Sequence, residues 1–192
     1  MPDGAPGPRQ IRTLEEPYGK SALKLKELHQ ILAANKLWGA TFKLAFAAVR
    51  AGCPFILEHP AEPQHEGHPS IWRLPIIQMM RQLRCVQLAT VAQGYFGAKS
   101  PKPTGFLCIH CATHAESILL QHKSQPFLPP PLAAGRKETG EFHTMSLKEY
   151  PPALCRALVI LLRESLQTIH RVQSSRSDPG TSDDRRSNRD WP

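Results

Sequence analysis

The 192-residue sequence contains no apolar run long enough to cross a membrane as a helix. Such a helix needs about 20 consecutive apolar residues, so we expect no membrane partner. The N-terminus is polar and rich in proline and glycine, without the apolar core of a secretory signal peptide. Five cysteines, an odd number at irregular spacing, predict reduced thiols in an intracellular protein.

Acidic residues are absent between Glu66 and Glu116. This interval carries five basic side chains: Arg73, Arg81, Arg84, Lys99 and Lys102. The whole chain has a formal net charge of +8 and a pI of about 9.5. A basic balance of this kind favours a polyanionic partner. The alternative is a solvated basic face that binds nothing.

Motifs for phosphate loops and metal sites are also lacking. The glycines of residues 4–7 follow no predicted strand, which a dinucleotide fingerprint requires. Cys108 and Cys111 form a Cys-x-x-Cys pair, but the sequence has no second pair to complete a structural zinc site. We therefore expect no metal, and we interpret Cys108 as a buried free thiol in a strand.

Apolar periodicity predicts alternating helices and strands. Helices are predicted over 21–50, 71–84, 116–121 and 151–170, and strands over 55–57, 85–91 and 106–109. Ser21 is the predicted N-cap of the first helix and Gly52 its stop. Helix, turn and buried strand in succession are typical of a parallel α/β sheet. The predicted organisation is an N-terminal loop over 1–20, an α/β region over 21–170 and a disordered tail over 171–192.

Polar residues follow two of the predicted strands. Glu58 comes directly after the strand 55–57, and the loop Gln93–Thr104 follows the strand 85–91. In open α/β sheets, ligands bind at the carboxyl ends of strands. The loop presents Lys99 and Lys102 on a chain stiffened by prolines, which favours contact with a phosphate or a base. The alternative for Glu58 is a surface glutamate that closes a strand.

The order of these segments resembles a known family. The segments are Glu58-His59-Pro60, Gln93-Gly94-Tyr95-Phe96-Gly97, Lys99 to Thr104, and Lys148-Glu149-Tyr150-Pro151-Pro152. In this order they resemble the carboxyl-terminal half of DNA (cytosine-5-)methyltransferases, closest to divergent members encoded by phages and mobile elements. The resemblance covers roughly residues 9–165 and depends on the order of short motifs.

The resemblance implies a fold and a site. The fold would be a partial Rossmann-like methyltransferase sheet, mostly parallel with flanking helices, lacking the cofactor-binding first half. Family members flip a cytosine out of DNA, and Glu58 would be the catalytic residue that holds the amidine edge of that base. Lys102, helped by Lys99, would hold the base carbonyl and a nearby phosphate. Arg73, Gln93 and Thr104 would complete the nucleic-acid-binding set, in a protein that is nuclear if it acts on DNA.

Two family motifs are missing from the sequence. It has no Phe-x-Gly-x-Gly loop for S-adenosylmethionine and no Pro-Cys loop for the nucleophile, and Cys53-Pro54 has the reverse order. A thiolate that attacks the ring makes the target carbon methylatable. We therefore expect a truncated or degenerate methyltransferase-like protein, inactive alone and binding no S-adenosylmethionine. The alternatives are a non-enzymatic nucleic-acid-binding module that uses the basic loop, and an inactive remnant.

Overall fold

The computed structural model describes residues 10–63, 68–130 and 149–176. These residues form four α-helices and three strands: α1 (Leu25–Ala51), β1 (Phe55–Pro60), α2 (Pro75–Arg81), β2 (Val86–Ala92), β3 (Pro103–Ile109), α3 (Ala115–Gln121) and α4 (Pro152–Arg176). Short 3₁₀ turns precede α2 and follow β2. In this part of the chain, no helix is long and apolar enough to cross a bilayer.

The first predicted helix is confirmed as the single helix α1, which Gly39 does not interrupt. It begins after Lys24, so the prediction of Ser21 as N-cap is wrong. The Glu27 carboxylate accepts a hydrogen bond from the Lys24 amide (2.8 Å) and so satisfies a donor at the helix start. Gly52 ends the helix with φ 65°, a conformation that glycine adopts without a steric penalty.

The sheet has the order β1-β3-β2, and β3 runs antiparallel to both neighbours. The predicted mostly parallel Rossmann-like sheet is therefore wrong. Between β2 and β3 the chain reverses through a short loop without a crossover helix, and antiparallel strands need no more than that. Because β1 and β2 both oppose β3, they run in the same direction on either side of it.

Helices cover both faces of this sheet. Alternate residues of β3 point to opposite faces, so Leu107 and Ile109 pack against α1 and α2, and Phe106 and Cys108 pack against α3 and α4. All four of these β3 side chains are fully buried. Full burial of a large apolar side chain contributes about 1.5–3 kcal/mol, which makes β3 the centre of the core.

The helix predicted over 71–84 is divided in two. Ser70 begins a 3₁₀ turn, Ile71–Arg73, by accepting a hydrogen bond from the Trp72 amide (3.2 Å). Leu74 is then extended, and α2 starts at Pro75. The residue before a proline is driven out of the helical region by the proline ring, which explains the break.

The last helix extends further than predicted. α4 continues to Arg176, so the first six residues of the predicted tail are helical. Residues 177–192 of that tail lie outside the described residues, as does 1–9 of the predicted N-terminal loop. The rest of that loop, residues 10–20, contains no helix or strand.

Candidate nucleic-acid interface

The sheet topology brings the predicted polar segments to one end of the molecule. β1 and β2 end where β3 begins, with Pro60 opposite Thr104 and Ala92 opposite Pro103. We use the name strand-end site for the cluster at this end: Glu58, Gln93, Lys102, Thr104 and Tyr150. Because β3 is antiparallel to both of its neighbours, its start lies at the same edge of the sheet as the ends of β1 and β2. The predicted polar segments therefore meet at this edge, although the sheet is not the mostly parallel one that was predicted.

Glu58 lies near Tyr150, a residue for which the sequence predicts no role. The prediction that Glu58 follows its strand is wrong, because β1 continues to Pro60; Glu58 lies inside β1, opposite Phe106 and on the face covered by α4. The Tyr150 hydroxyl, just before α4, lies beside the Glu58 carboxylate. Burial, and then the neighbouring Glu58 carboxylate, raise the pKa of Tyr150 above its ordinary value. The carboxylate thus has a neutral phenol as its neighbour.

Lys102 approaches the same tyrosine from the loop. Its Nζ lies 5.4 Å from the centroid of the Tyr150 ring, within the range of a cation–π contact. Its backbone has φ 39°, which is uncommon for a residue with a side chain. The Lys102 carbonyl accepts hydrogen bonds from the Gln93 amide (3.3 Å) and the Thr104 hydroxyl (3.1 Å). These bonds fix the backbone of the loop that carries the lysine.

Gln93 and Thr104, predicted to bind nucleic acid, are buried beneath this loop. Gln93 is fully buried, and its Nε2 donates to Thr104 Oγ1 (3.0 Å). Gln93 Oε1 has no hydrogen-bond partner within the described ranges. Gly94 donates through its amide to the Pro101 carbonyl (3.1 Å), which closes the loop. In this conformation the two side chains support the loop from inside rather than forming its surface.

Arg73 and Lys99 lie outside the strand-end site. Arg73 forms an ion pair with Glu62 and also lines a different groove, beside Thr13 and Leu14. Lys99 is exposed in the loop. An open groove of about 510 Å³ lies between the end of β1 and this loop; it is lined by Ala61, Glu62, Pro63, Ser100, Pro101, Lys102 and Pro103. This volume is within the range of ligand sites, about 300–1,000 Å³.

The described residues do not fit S-adenosylmethionine, the cofactor that the resemblance implies. A nucleotide cofactor needs a glycine turn after a strand, where the backbone can approach the ligand. Gly94 follows β2, but the space beside it is filled, since an added Cβ would lie 2.5 Å from Pro129 Cδ. Pro129 therefore fills the space beside the glycine turn that follows β2, and we derive no reaction step through a cofactor.

Tyr150 is the site residue that the sequence analysis did not identify. It belongs to the segment 148–152 that supports the resemblance, but no role followed from that segment. The available signal is its position, since an aromatic residue before two prolines at a helix start is fixed relative to the helix. Its contacts with Glu58 and Lys102 arise only from the tertiary fold.

No protein-family model, curated protein or solved structure matches this chain. The function is therefore inferred from the chemistry of the strand-end site and from the distribution of charge around it.

Proposed function

We propose that this protein is a non-enzymatic nucleic-acid-binding module that holds an unpaired cytosine of single-stranded DNA at the strand-end site. The observation that carries the proposal is the convergence of a carboxylate and an ammonium group on one tyrosine: Lys102 Nζ lies 5.4 Å from the centroid of the Tyr150 ring, and the Glu58 carboxylate lies beside the Tyr150 hydroxyl. The three groups offer an acceptor, a donor and a stacking surface within one small area.

Glu58 matches the amine of cytosine. An ionised carboxylate has about four lone-pair positions, and a bond from the neighbouring Tyr150 hydroxyl would use one of them. The others can accept hydrogen bonds from the exocyclic amine, the donor that cytosine presents. Thymine has a carbonyl oxygen at that position, which would face the carboxylate as a second acceptor. Glu58 should therefore favour cytosine over thymine.

Lys102 and Tyr150 supply the remaining contacts. The lysine ammonium can donate to the base carbonyl, with less directional selectivity than the planar fork of arginine. The Tyr150 ring is 36% exposed, so part of it is accessible to a base. Stacking of a base on an aromatic side chain contributes about 1–3 kcal/mol. Because stacking tolerates any base, selectivity depends on Glu58.

The surrounding charge favours a phosphate backbone. Of the five basic residues between Glu66 and Glu116, Lys102 belongs to the strand-end site and the exposed Lys99 lies three residues before it, whereas Arg84 lines a groove at the other end of β3. Phosphate contacts by lysine release counterions and make binding salt-dependent. Arg73 contributes less, because Glu62 pairs with it. The proposal includes no methyl transfer, since the sequence lacks the family's nucleophile loop.

Fluorescence anisotropy with labelled oligo-dC and oligo-dT tests the proposal. We expect tighter binding of oligo-dC and an affinity for both that falls as salt rises. Lys99→Ala should weaken both complexes equally and reduce the salt slope by about 0.7, the value for one contact to a single strand. Lys43→Ala, on the exposed surface of α1, is the matched control and should change neither quantity. Equal, salt-independent affinities would refute the proposal.

Two substitutions of Glu58 separate base recognition from folding. Glu58→Ala removes the acceptor and should abolish the preference for oligo-dC while keeping the salt slope. Glu58→Gln retains a carbonyl acceptor and should restore the preference. If both variants kept the wild-type preference, Glu58 would not be the base-holding residue. Unfolding curves of both variants show whether the fold is intact.

A further inference from the structure

A second site lies at the opposite end of β3, where the strand leads into a turn. Cys108 is fully buried in β3, and Cys111 follows it in the turn. Both belong to the side of the sheet covered by α4, and Cys111 packs against the cluster that contains Cys108. The Cys108 thiol donates to the Phe106 carbonyl (3.6 Å), and the Cys111 thiol donates to the Phe55 (3.8 Å) and Ile109 (3.5 Å) carbonyls. Five cysteines are free, so this pair is reduced.

The turn that carries the pair is held in place on several sides. His110 has φ 48°, its amide donates to the Cys85 carbonyl (2.7 Å), and its Nε2 bonds the Val49 carbonyl (3.0 Å). The next residue but one, Ala112, donates through its amide to Ser165 Oγ of α4 (2.8 Å). Because the backbone is fixed on both sides of Cys111, its thiol keeps its place against the cluster that contains Cys108.

Only one of the two thiols borders a groove. A groove of about 440 Å³ is lined by Arg84, Cys85, Val86, Gln87, His110, Cys111, Thr113, His114 and Ile169. Cys108 does not line it. A small oxidant entering the groove therefore meets Cys111 first and reaches Cys108 only through it. Arg84 lines the same groove, so its positive charge borders the space that Cys111 faces.

We propose that Cys108 and Cys111 form a peroxide-reactive dithiol site, with Cys111 as the attacking thiol and Cys108 as the resolving thiol. The hydrogen bond from Cys108 lowers the pKa of Cys111, and the same contact and burial raise the pKa of Cys108. The groove reaches Cys111 and not Cys108, which assigns the two roles, and the pKa directions agree because the thiolate is the nucleophile.

The chemistry is a two-electron reduction of hydrogen peroxide. The Cys111 thiolate attacks one peroxide oxygen, the O–O bond breaks, and hydroxide departs as the leaving group. Cys111 then carries a sulfenic acid. The Cys108 sulfur then attacks the Cys111 sulfur, so an S–S bond forms and the S–O bond breaks. The departing hydroxide takes the Cys108 proton and leaves as water. Both cysteines are oxidised, and a dithiol reductant returns the disulfide to two thiols by exchange while becoming a disulfide itself.

Peptide mapping of the full chain after treatment with one equivalent of hydrogen peroxide tests the site. We expect a Cys108–Cys111 disulfide, with the loss of two hydrogen atoms from the intact mass, while the exposed Cys53 and Cys155 remain reduced. Oxidation of Cys53 or Cys155 ahead of this pair would overturn the proposal. A disulfide between Cys111 and Cys85, the other thiol in the groove, would also overturn it.

Variants assign the two roles independently of the disulfide. In Cys108→Ala, sulfenic acid on Cys111 should persist and be trapped by dimedone. In Cys111→Ala, Cys108 should stay unlabelled, since the groove does not reach it. Cys53→Ser is the control and should react as the wild type does. Dimedone labelling of Cys108 in place of Cys111 would reverse the assignment, and far-UV circular dichroism checks that each variant folds.

Discussion

Gly105 permits the closest packing of an aromatic ring on the sheet. It lies in β3, and an added Cβ would be 2.7 Å from Trp72 Cζ2. The Trp72 indole is itself fixed, because its Nε1 donates to the Pro60 carbonyl at the end of β1 (2.7 Å). One glycine thus allows the tryptophan to connect the central strand with an edge strand.

Gly105→Ala should lower the free energy of unfolding by about 1–3 kcal/mol, since overpacking a core forces side chains from their positions. Urea denaturation measures this change. Gly39→Ala is the matched control, because nothing lies within 4 Å of an added Cβ there. Gly39 is inside a helix, so the control should raise stability by about 0.5–1 kcal/mol. Equal effects of the two changes would contradict the packing argument.

Tyr150 should make stability sensitive to alkaline pH. Its pKa is raised in the folded state, so folding favours the protonated phenol. That contribution is fully present below the ordinary tyrosine pKa of about 10 and is lost as pH rises through the folded value. We expect the stability advantage of the wild type over Tyr150→Phe to be constant below pH 10 and to shrink above it.

Chemical denaturation of both proteins at a series of pH values measures this difference. Tyr18→Phe, which changes a tyrosine that is 52% exposed, is the control for general alkaline effects. An advantage over Tyr150→Phe that grew with pH would show that the phenolate, not the phenol, is the form that folding favours.

At the scale of elements, α4 is attached to the sheet by more than apolar contacts. Ser165 is buried on this helix; it accepts from the Ala112 amide (2.8 Å) and donates to the Leu161 carbonyl (2.6 Å). The Ser165 hydroxyl therefore satisfies the Ala112 backbone amide, which lies in the turn after β3. Leu154, Ala157 and Leu161 bury the same side of the helix against the sheet.

Ser165→Ala should destabilise the fold by about 1–3 kcal/mol, because the Ala112 amide would lose its partner in a buried place. Thr168→Ala is the matched control, since Thr168 makes the same kind of bond to the Glu164 carbonyl from an exposed position. A surface change of that kind is usually within about 0.5 kcal/mol. Thermal unfolding of both variants gives the comparison, and similar losses would contradict the role assigned to Ser165.

The elements themselves were largely predictable, but their pairing was not. The spacing of apolar residues and the turn residues predicted α1 and its end at Gly52. They also predicted the strands near Glu58 and Phe106. Strand direction depends on contacts between residues far apart in sequence, and β1 pairs with β3 across 44 to 54 residues. Gln93 and Thr104 are buried where β2 pairs with β3, and Tyr150 lies beside Glu58 only because α4 packs on the sheet, so local patterns could not provide either arrangement.

At the scale of the molecule, β3 is the only strand of the described sheet with a partner on each side. From Thr104 to Ile109 it is buried throughout, and helices cover both of its faces. β1 and β2 are edge strands, so alternate backbone amides of each point away from the ladder.

Hydrogen exchange should follow this arrangement. We expect the amides of β3 to exchange only through global unfolding, and the outward amides of β1 and β2 to exchange through smaller local openings. Exchange measured by NMR under native conditions resolves the two classes. Slower exchange along the whole of β1 than along β3 would mean that the outer edge of β1 is covered.

The position of β3 in the chain also has a consequence for synthesis. β1 is complete at Pro60, but the strand that pairs with it ends at Ile109. At the usual rates of translation, about 5–20 residues per second, β1 remains without a partner for several seconds. During that interval the nascent chain exposes an apolar strand with open backbone groups, a form that chaperones bind. The central strand of this sheet is therefore synthesised after both of its edge strands.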